Sequence, residues 1–124
     1  NIGVLTLGAL RLGREIVVPT EATPLALNGL RQLMDILHSL RRIIGKEEIA
    51  AVVPCRCHVR RRIHWETIEK IEELLPGKVS LFIRENVALA AAAGHGRPVH
   101  QYAPRSNGTE DYRQATDWLV ERLR

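Results

Sequence analysis

The side chains best suited to chemistry are concentrated in one run, Cys55-Arg56-Cys57-His58-Val59-Arg60-Arg61-Arg62. Thiolates and imidazoles are zinc ligands, but structural zinc takes a closed tetrahedral set at C-x-x-C-like spacing. Here the two cysteines are separated by a single residue, His64 is within reach, and no clear fourth group follows. No metal site is therefore expected. Cys55 and Cys57 are too close in one strand for an ordinary bridge, and the sequence holds no other cysteine to pair with either, which fits a reducing compartment. The arginines make the strongest positive cluster in the chain. Flexible guanidinium groups can neutralise phosphates without reading bases, in a manner that weakens steeply with salt; a solvated loop is the plain alternative. No Ser/His/Asp or Cys/His nucleophile arrangement is legible from spacing, so no catalytic residue is assigned.

A second segment, Phe82 to Tyr112, passes through the turn Gly94-His95-Gly96 and ends at the start of the last helix. A connection this long usually carries function. His95 is expected to fix the turn by bonding to backbone.

The elements that must hold these segments alternate. Leu5 to Leu12 reads as a short helix ended by Gly13 in a left-handed cap. Ile16 to Pro19 reads as an apolar strand covered on both faces. Thr23 caps, and Pro24 begins, a helix running to Ile44, whose Leu27, Leu30, Met34, Leu37 and Ile44 recur at helical spacing. Ile49 to Pro54 is a second strand. A helix from His64 to Leu75 is expected to bury Trp65, Ile68, Ile71 and Leu75 and to pair Glu66 with Lys70. Lys78 to Ile83 is a third strand, and Thr109 caps a final helix that starts acidic and ends basic. Strands joined through helices run parallel, so the expected class is α/β with a parallel sheet of about three strands and flanking helices. So thin a sheet is expected to lean on further structure or on a second copy. Ligands in such folds bind beyond the carboxyl ends of the strands, here Thr20 to Pro24, Cys55 to Arg62 and Arg84 to Gly96.

At 124 residues the chain fits one domain, and 45% apolar with 26% charged content suits a globular protein. A net charge of +4 permits attraction to nucleic acid without demanding it. No run approaches the roughly 20 apolar residues of a membrane span, and no signal peptide is expected. A first residue other than methionine suggests a fragment or processed product.

The Phe82 to Tyr112 segment resembles the ParA/Soj branch of the deviant P-loop ATPases, partition motors related to MinD. That family reads I-R-x-N-V-x-L-A-E-A-P-S-H-G-K-P-V, then E-Y-D-P-x-S-x-G-A-E-x-Y. The shared positions are Ile83, Arg84, Asn86, Val87, Leu89, Ala90, Ala92, His95, Gly96, Pro98, Val99, Tyr102, Pro104, Ser106, Gly108, Glu110 and Tyr112. The opening I-G-V-L-T-L-G-A-L resembles the helix after the family's D-x-P-P switch, and Ile16 to Leu30 its next strand and helix. The resemblance implies residues 1–124 as the C-terminal part of a ParA-like ATPase domain, a partial P-loop NTPase-like, Rossmann-like three-layer fold. No G-x-x-x-x-G-K-[ST] occurs in the sequence. The signature lysine and the D-x-P-P aspartate are expected upstream of Asn1.

By that resemblance the intact protein would use ATP and Mg2+, dimerise around the nucleotide, bind DNA non-specifically and be stimulated by a ParB-like partner, in the cytoplasm and associated with the nucleoid. No cofactor is expected on this piece alone, and it should be catalytically inert. Pro54, Cys55, Arg84 and Asn86 would lie on the adenine and ribose side; alternatively, Asn86 caps a short helix from Val87 to Ala93 and Arg84 is a solvated charge. Arg56, Arg60, Arg61 and Arg62 would contact DNA. The sequence departs from the family at Ala91-Ala92-Ala93-Gly94, which replaces Glu-Ala-Pro-Ser, at Thr23, which replaces an acid, and at Ala88, which replaces an arginine. The MinD branch ends in a basic membrane-surface helix. Here the last helix has an acidic polar face and is expected to dock on the sheet rather than on a membrane. A degenerate, non-catalytic interaction module and a MinD-like positioning ATPase are the alternative readings.

Overall fold

The computed structural model describes residues 3–124; Asn1 and Ile2, the start of the opening block that resembles the family, lie outside the described residues. The elements run α1 (Val4–Leu12), β1 (Val17–Glu21), α2 (Pro24–Ser39), α3 (Arg41–Ile44), β2 (Ala51–Cys55), α4 (Arg62–Leu74), α5 (Val87–Gly94), α6 (Val99–Tyr102) and α7 (Asn107–Leu123). β1 and β2 pair in parallel, with Val18 opposite Val52 and Glu21 opposite Cys55.

The sheet has two strands, not the expected three. The third segment still lies parallel beside β2, through bridges at Val52–Val79 and Cys57–Arg84. Between them the ladder fails for a chemical reason. The next donor on β2 belongs to Pro54, which has no N–H. Pro54 instead only accepts, from the Ile83 amide at 2.7 Å, one residue later than regular spacing from the Ser80 to Val52 bond would require. Arg56, at a left-handed φ of 51°, takes up the offset on the other side so that Cys57 and Arg84 meet again.

β2 is buried from Ala51 to Pro54, and its alternating side chains divide the core. Val52 joins Ile16, Leu27, Leu30, Leu37, Ile44, Ile49, Ile71 and Leu75 under α2, α3 and α4. Val53 points the other way, to Ile83 and Ala115, so α7 covers that face as its composition implied. β1 departs from expectation: its exposure alternates, and Val17 stays 38% exposed.

Local details follow side-chain chemistry. Thr23 caps α2 through the Ala26 amide (3.2 Å), with Pro24 in the first turn as expected. That helix breaks at Leu40 rather than running through to Ile44. Gly45, at φ 84°, supplies the left-handed stop, whereas Gly13 is extended (φ −66°). The C-terminus of α1 is closed instead by the Lys46 ammonium, which donates to the carbonyls of Leu10 (2.6 Å) and Gly13. In α4 the buried stripe is His64, Thr67 and Ile71. Trp65 is half exposed, and Glu66 faces Arg62 rather than Lys70. Ser106, not Thr109, caps α7, accepting from the Thr109 amide at 3.2 Å. The Thr109 hydroxyl donates to the Ala103 carbonyl at 2.7 Å. Gly108 sets how closely α7 meets α5, since a Cβ there would lie 2.8 Å from Leu89 Cγ.

Lys46→Met should lower the protection of α1 amides against hydrogen exchange by about 1 kcal/mol, the scale of one charge-assisted cap, and leave β2 unchanged. Uniform loss across the chain would show that α1 is not separately closed by this contact.

Candidate functional site

The carboxyl ends of β1, β2 and the third segment open onto one rim. Sequence spacing places Glu21, Cys55 to His58 and Arg84 to Asn86 there, and the bridge between Cys57 and Arg84 ties two of these segments together. Arg56 spans the rim: its guanidinium reaches Glu21 Oε1 at 3.0 Å and Glu85 Oε1 at 3.4 Å. His58 Nε2 lies 3.0 Å from the other oxygen of Glu85. A chain of alternating acidic and basic side chains therefore crosses the strand tips. Neither glutamate was singled out from sequence, because each sits beside an unremarkable neighbour and only the parallel register brings them together.

Arg84 is neither free nor simply solvated. Its Nε and Nη2 donate to the two carboxylate oxygens of Asp111 at 2.9 Å each, and its backbone amide adds a 3.0 Å bond to Oδ2. The Asp111 side chain is 7% exposed and that of Arg84 38%. Burial alone pushes the Asp111 carboxyl up, but the side chain, amide and charge of Arg84 outweigh it and hold the group below its usual value. Asn86 caps α5, accepting from the Ala88 amide at 3.0 Å. Pro54 has its ring fully buried. The Cys57 thiol is buried and pushed up to about 12, first by burial and then by neighbouring Cys55. Cys55 is raised too, by burial, with the Tyr112 hydroxyl pulling the other way. Neither is poised as a thiolate nucleophile. Among the described residues no cluster of three His, Cys, Asp or Glu side chains is arranged to hold a metal ion.

Of the predicted rim residues, Cys55 ends β2, and Arg84 and Asn86 lie at the end of the third segment, which the Cys57–Arg84 bridge holds beside it. The Arg84 side chain is taken by Asp111, that of Asn86 by the Ala88 amide, and the Pro54 ring is buried. The arginine cluster divides. Arg56 is held by carboxylates, and Arg62 faces Glu66 at 3.7 Å. Arg60 and Arg61 are exposed at the entrance to α4 and have no carboxylate partner among the described residues. His95 places Nδ1 2.8 Å from the Ala91 carbonyl and packs against Tyr102 (4.9 Å between centroids), so it fixes the turn. Carboxylates on the rim repel phosphate but can accept from a base or a ribose hydroxyl. A triphosphate with Mg2+ does not fit the groups present here.

No protein-family model matches the chain. It is 31% identical over 114 residues to the sporulation initiation inhibitor protein Soj of Bacillus subtilis, a match covering 90% of this chain and 45% of that protein. It is 25% identical to the chromosome-partitioning ATPase Soj of Thermus thermophilus over 99% of this chain and 50% of that protein. The fold matches apo McdA from Cyanthece with a TM-score of 0.75 at 20% identity, over 98% of this chain and 47% of that one. The chain thus spans about half the length of these relatives, or less.

Arg84→Ala should destabilise more than Asp111→Asn, because it strands a buried carboxylate, at about 3–5 kcal/mol against about 1–2 kcal/mol for the weakened hydrogen bonds. In the parent chain the Asp111 contribution is present above the ordinary carboxylate value of about 3.9 and is lost as pH falls through its lower folded value. In Arg84→Ala the sign reverses, and the deficit should shrink on acidification as Asp111 takes up a proton. Urea unfolding at neutral and acid pH measures both, and equal penalties that do not change with pH would refute the assignment.

Proposed function

The chain belongs to the ParA/Soj/MinD-like partitioning-ATPase superfamily, and on that footing we propose that it is the C-terminal part of a ParA-like ATPase domain serving chromosome or plasmid partitioning. In the whole protein this part supplies the base and ribose side of an ATP site, while the phosphates and Mg2+ are held by residues outside these 124. The whole protein then dimerises with ATP, binds DNA non-specifically and hydrolyses ATP under stimulation by a ParB-like partner, in the cytoplasm and on the nucleoid. The observation that supports the reading is the parallel alignment of the strand tips, where the bridge between Cys57 and Arg84 sets the segments that carry Cys55 and Asn86 side by side, in a chain that has no G-x-x-x-x-G-K-[ST] of its own. Arg60 and Arg61 are the DNA contacts most available to phosphate, Arg56 and Arg62 being drawn to carboxylates.

A non-catalytic relative is the second reading. What favours it is the chain of contacts through Glu21, Arg56, Glu85 and His58, which ties the strand tips to one another through their own side chains. Nucleotide binding by the whole protein separates the two.

The 124-residue chain alone should hydrolyse ATP at background, and turnover that survives repurification would show that the phosphates are handled here. In the whole protein, Arg60→Ala with Arg61→Ala should weaken binding to every DNA sequence alike and reduce the salt slope by about 2, at roughly 0.9 per phosphate. A slope unchanged in filter binding across salt concentrations would remove these two residues from the interface.

A further inference from the structure

The outer side of the third segment is an open strand edge. The Val79 and Leu81 amides and the Val79 carbonyl have no hydrogen-bond partner among the described residues, and the Leu81 carbonyl accepts only from Ser80 Oγ. At Arg84 the same edge is closed, because Asp111 takes the outward amide. The open stretch is thus Val79 to Phe82.

Two clefts of about 430 and 580 Å³ border it and share Trp65. Trp65 is half exposed yet held on several sides: Nε1 donates to the Val59 carbonyl at 2.8 Å, and the ring meets His64 and Phe82 edge-on at 4.5 and 5.5 Å between centroids. Leu81 is also 50% exposed. An unpaired edge beside a rigid aromatic anchor is a surface on which another strand docks.

The charge on α4 identifies the occupant. Arg60, Arg61 and Arg62 stand at its start and Glu69, Glu72 and Glu73 toward its end, roughly 15 Å away at 1.5 Å per residue. None of these three glutamates has a cationic partner among the described residues. Trp65 borders the open edge between the two charge groups, in one cleft with Ser80 and in the other with Leu81. A two-fold axis through Ser80 and normal to the sheet reverses α4, laying the acidic end of one copy along the basic end of the other. A foreign strand would need a matching bipolar helix; a second copy brings one.

We infer that two copies of this chain associate antiparallel through this edge. The Val79 amide of each copy donates to the Leu81 carbonyl of the other, and the Leu81 amide of each donates to the Val79 carbonyl of the other. Trp65 is covered, and Arg60 and Arg61 of each copy face Glu72 and Glu73 of the other. The contact uses no strand-tip residue and no nucleotide; it shares Arg60 and Arg61 with the proposed DNA surface, and a test on the 124-residue chain without DNA or nucleotide reads the two separately.

Sedimentation equilibrium of the 124-residue chain tests it. The chain should dimerise without nucleotide. Glu72→Lys with Glu73→Lys, and separately Arg60→Glu with Arg61→Glu, should each raise the dissociation constant at least about tenfold by opposing like charges. An equimolar mixture of the two variants should regain dimer, since every repelled pair becomes an attractive one. Leu81→Lys, which touches neither charge group, should give monomer, and it serves if a charge variant does not fold. A monomeric parent chain, a dimer indifferent to these changes, or a mixture that fails to recover overturns the inference.

Discussion

A buried carboxylate that accepts three hydrogen bonds from a single arginine joins α7 to the strand tips, and the placement of the rim follows from that join. Asp111 grips both the guanidinium and the amide of Arg84. Arg84 in turn bridges to Cys57, which sets where Arg56 emerges and therefore where its charge reaches Glu21 and Glu85. The partners are unequally buried, so the aspartate carries the greater desolvation and depends on the arginine more than the arginine depends on it.

The central strand imposes a second constraint. Pro54 sits where a regular parallel ladder would need a donor, so the third segment cannot pair continuously with β2. The resulting offset is absorbed at Arg56 in the left-handed region, a conformation that costs a non-glycine residue about 1 kcal/mol or more. The irregularity turns Arg56 across the rim, where it meets both glutamates. A missing amide proton in the core thereby shapes the electrostatics of the candidate site.

The two ends of the third segment differ in how they meet solvent. Near Arg84 its outward amide is taken by α7, as edge strands are often protected. From Val79 to Phe82 it is bare and flanked by Trp65 and Leu81. β1 exposes one face as well, along an apolar cleft with Leu10, Leu33 and Ile36. Both margins carry apolar surface that a sheet of two strands leaves uncovered, in keeping with a chain that spans half or less of its relatives.

Local chemistry made much of this legible beforehand. The Thr23-Pro24 cap, the leucine stripe of α2, the strand at Ala51 to Cys55 and the Asn86 cap depend on neighbouring residues or on a single period, and these can be read along the chain. The family resemblance rests on motifs that are read along the chain, such as I-R-x-N-V and the His95-Gly96 turn. What needed the tertiary structure were pairings over long separations. Lys46 closing α1, Arg56 between Glu21 and Glu85, and Asp111 under Arg84 join residues 27 or more positions apart, and such contacts leave no periodic trace. Which side of α4 faces inward was also decided by packing: stripes through His64 and through Trp65 differ by one residue, or about 100° of rotation, and both lead to Ile71. The sequence determined most of the elements and their order because those follow from local propensity and period. Only the folded chain decided which charges meet, since burial and register act between segments that the sequence keeps far apart.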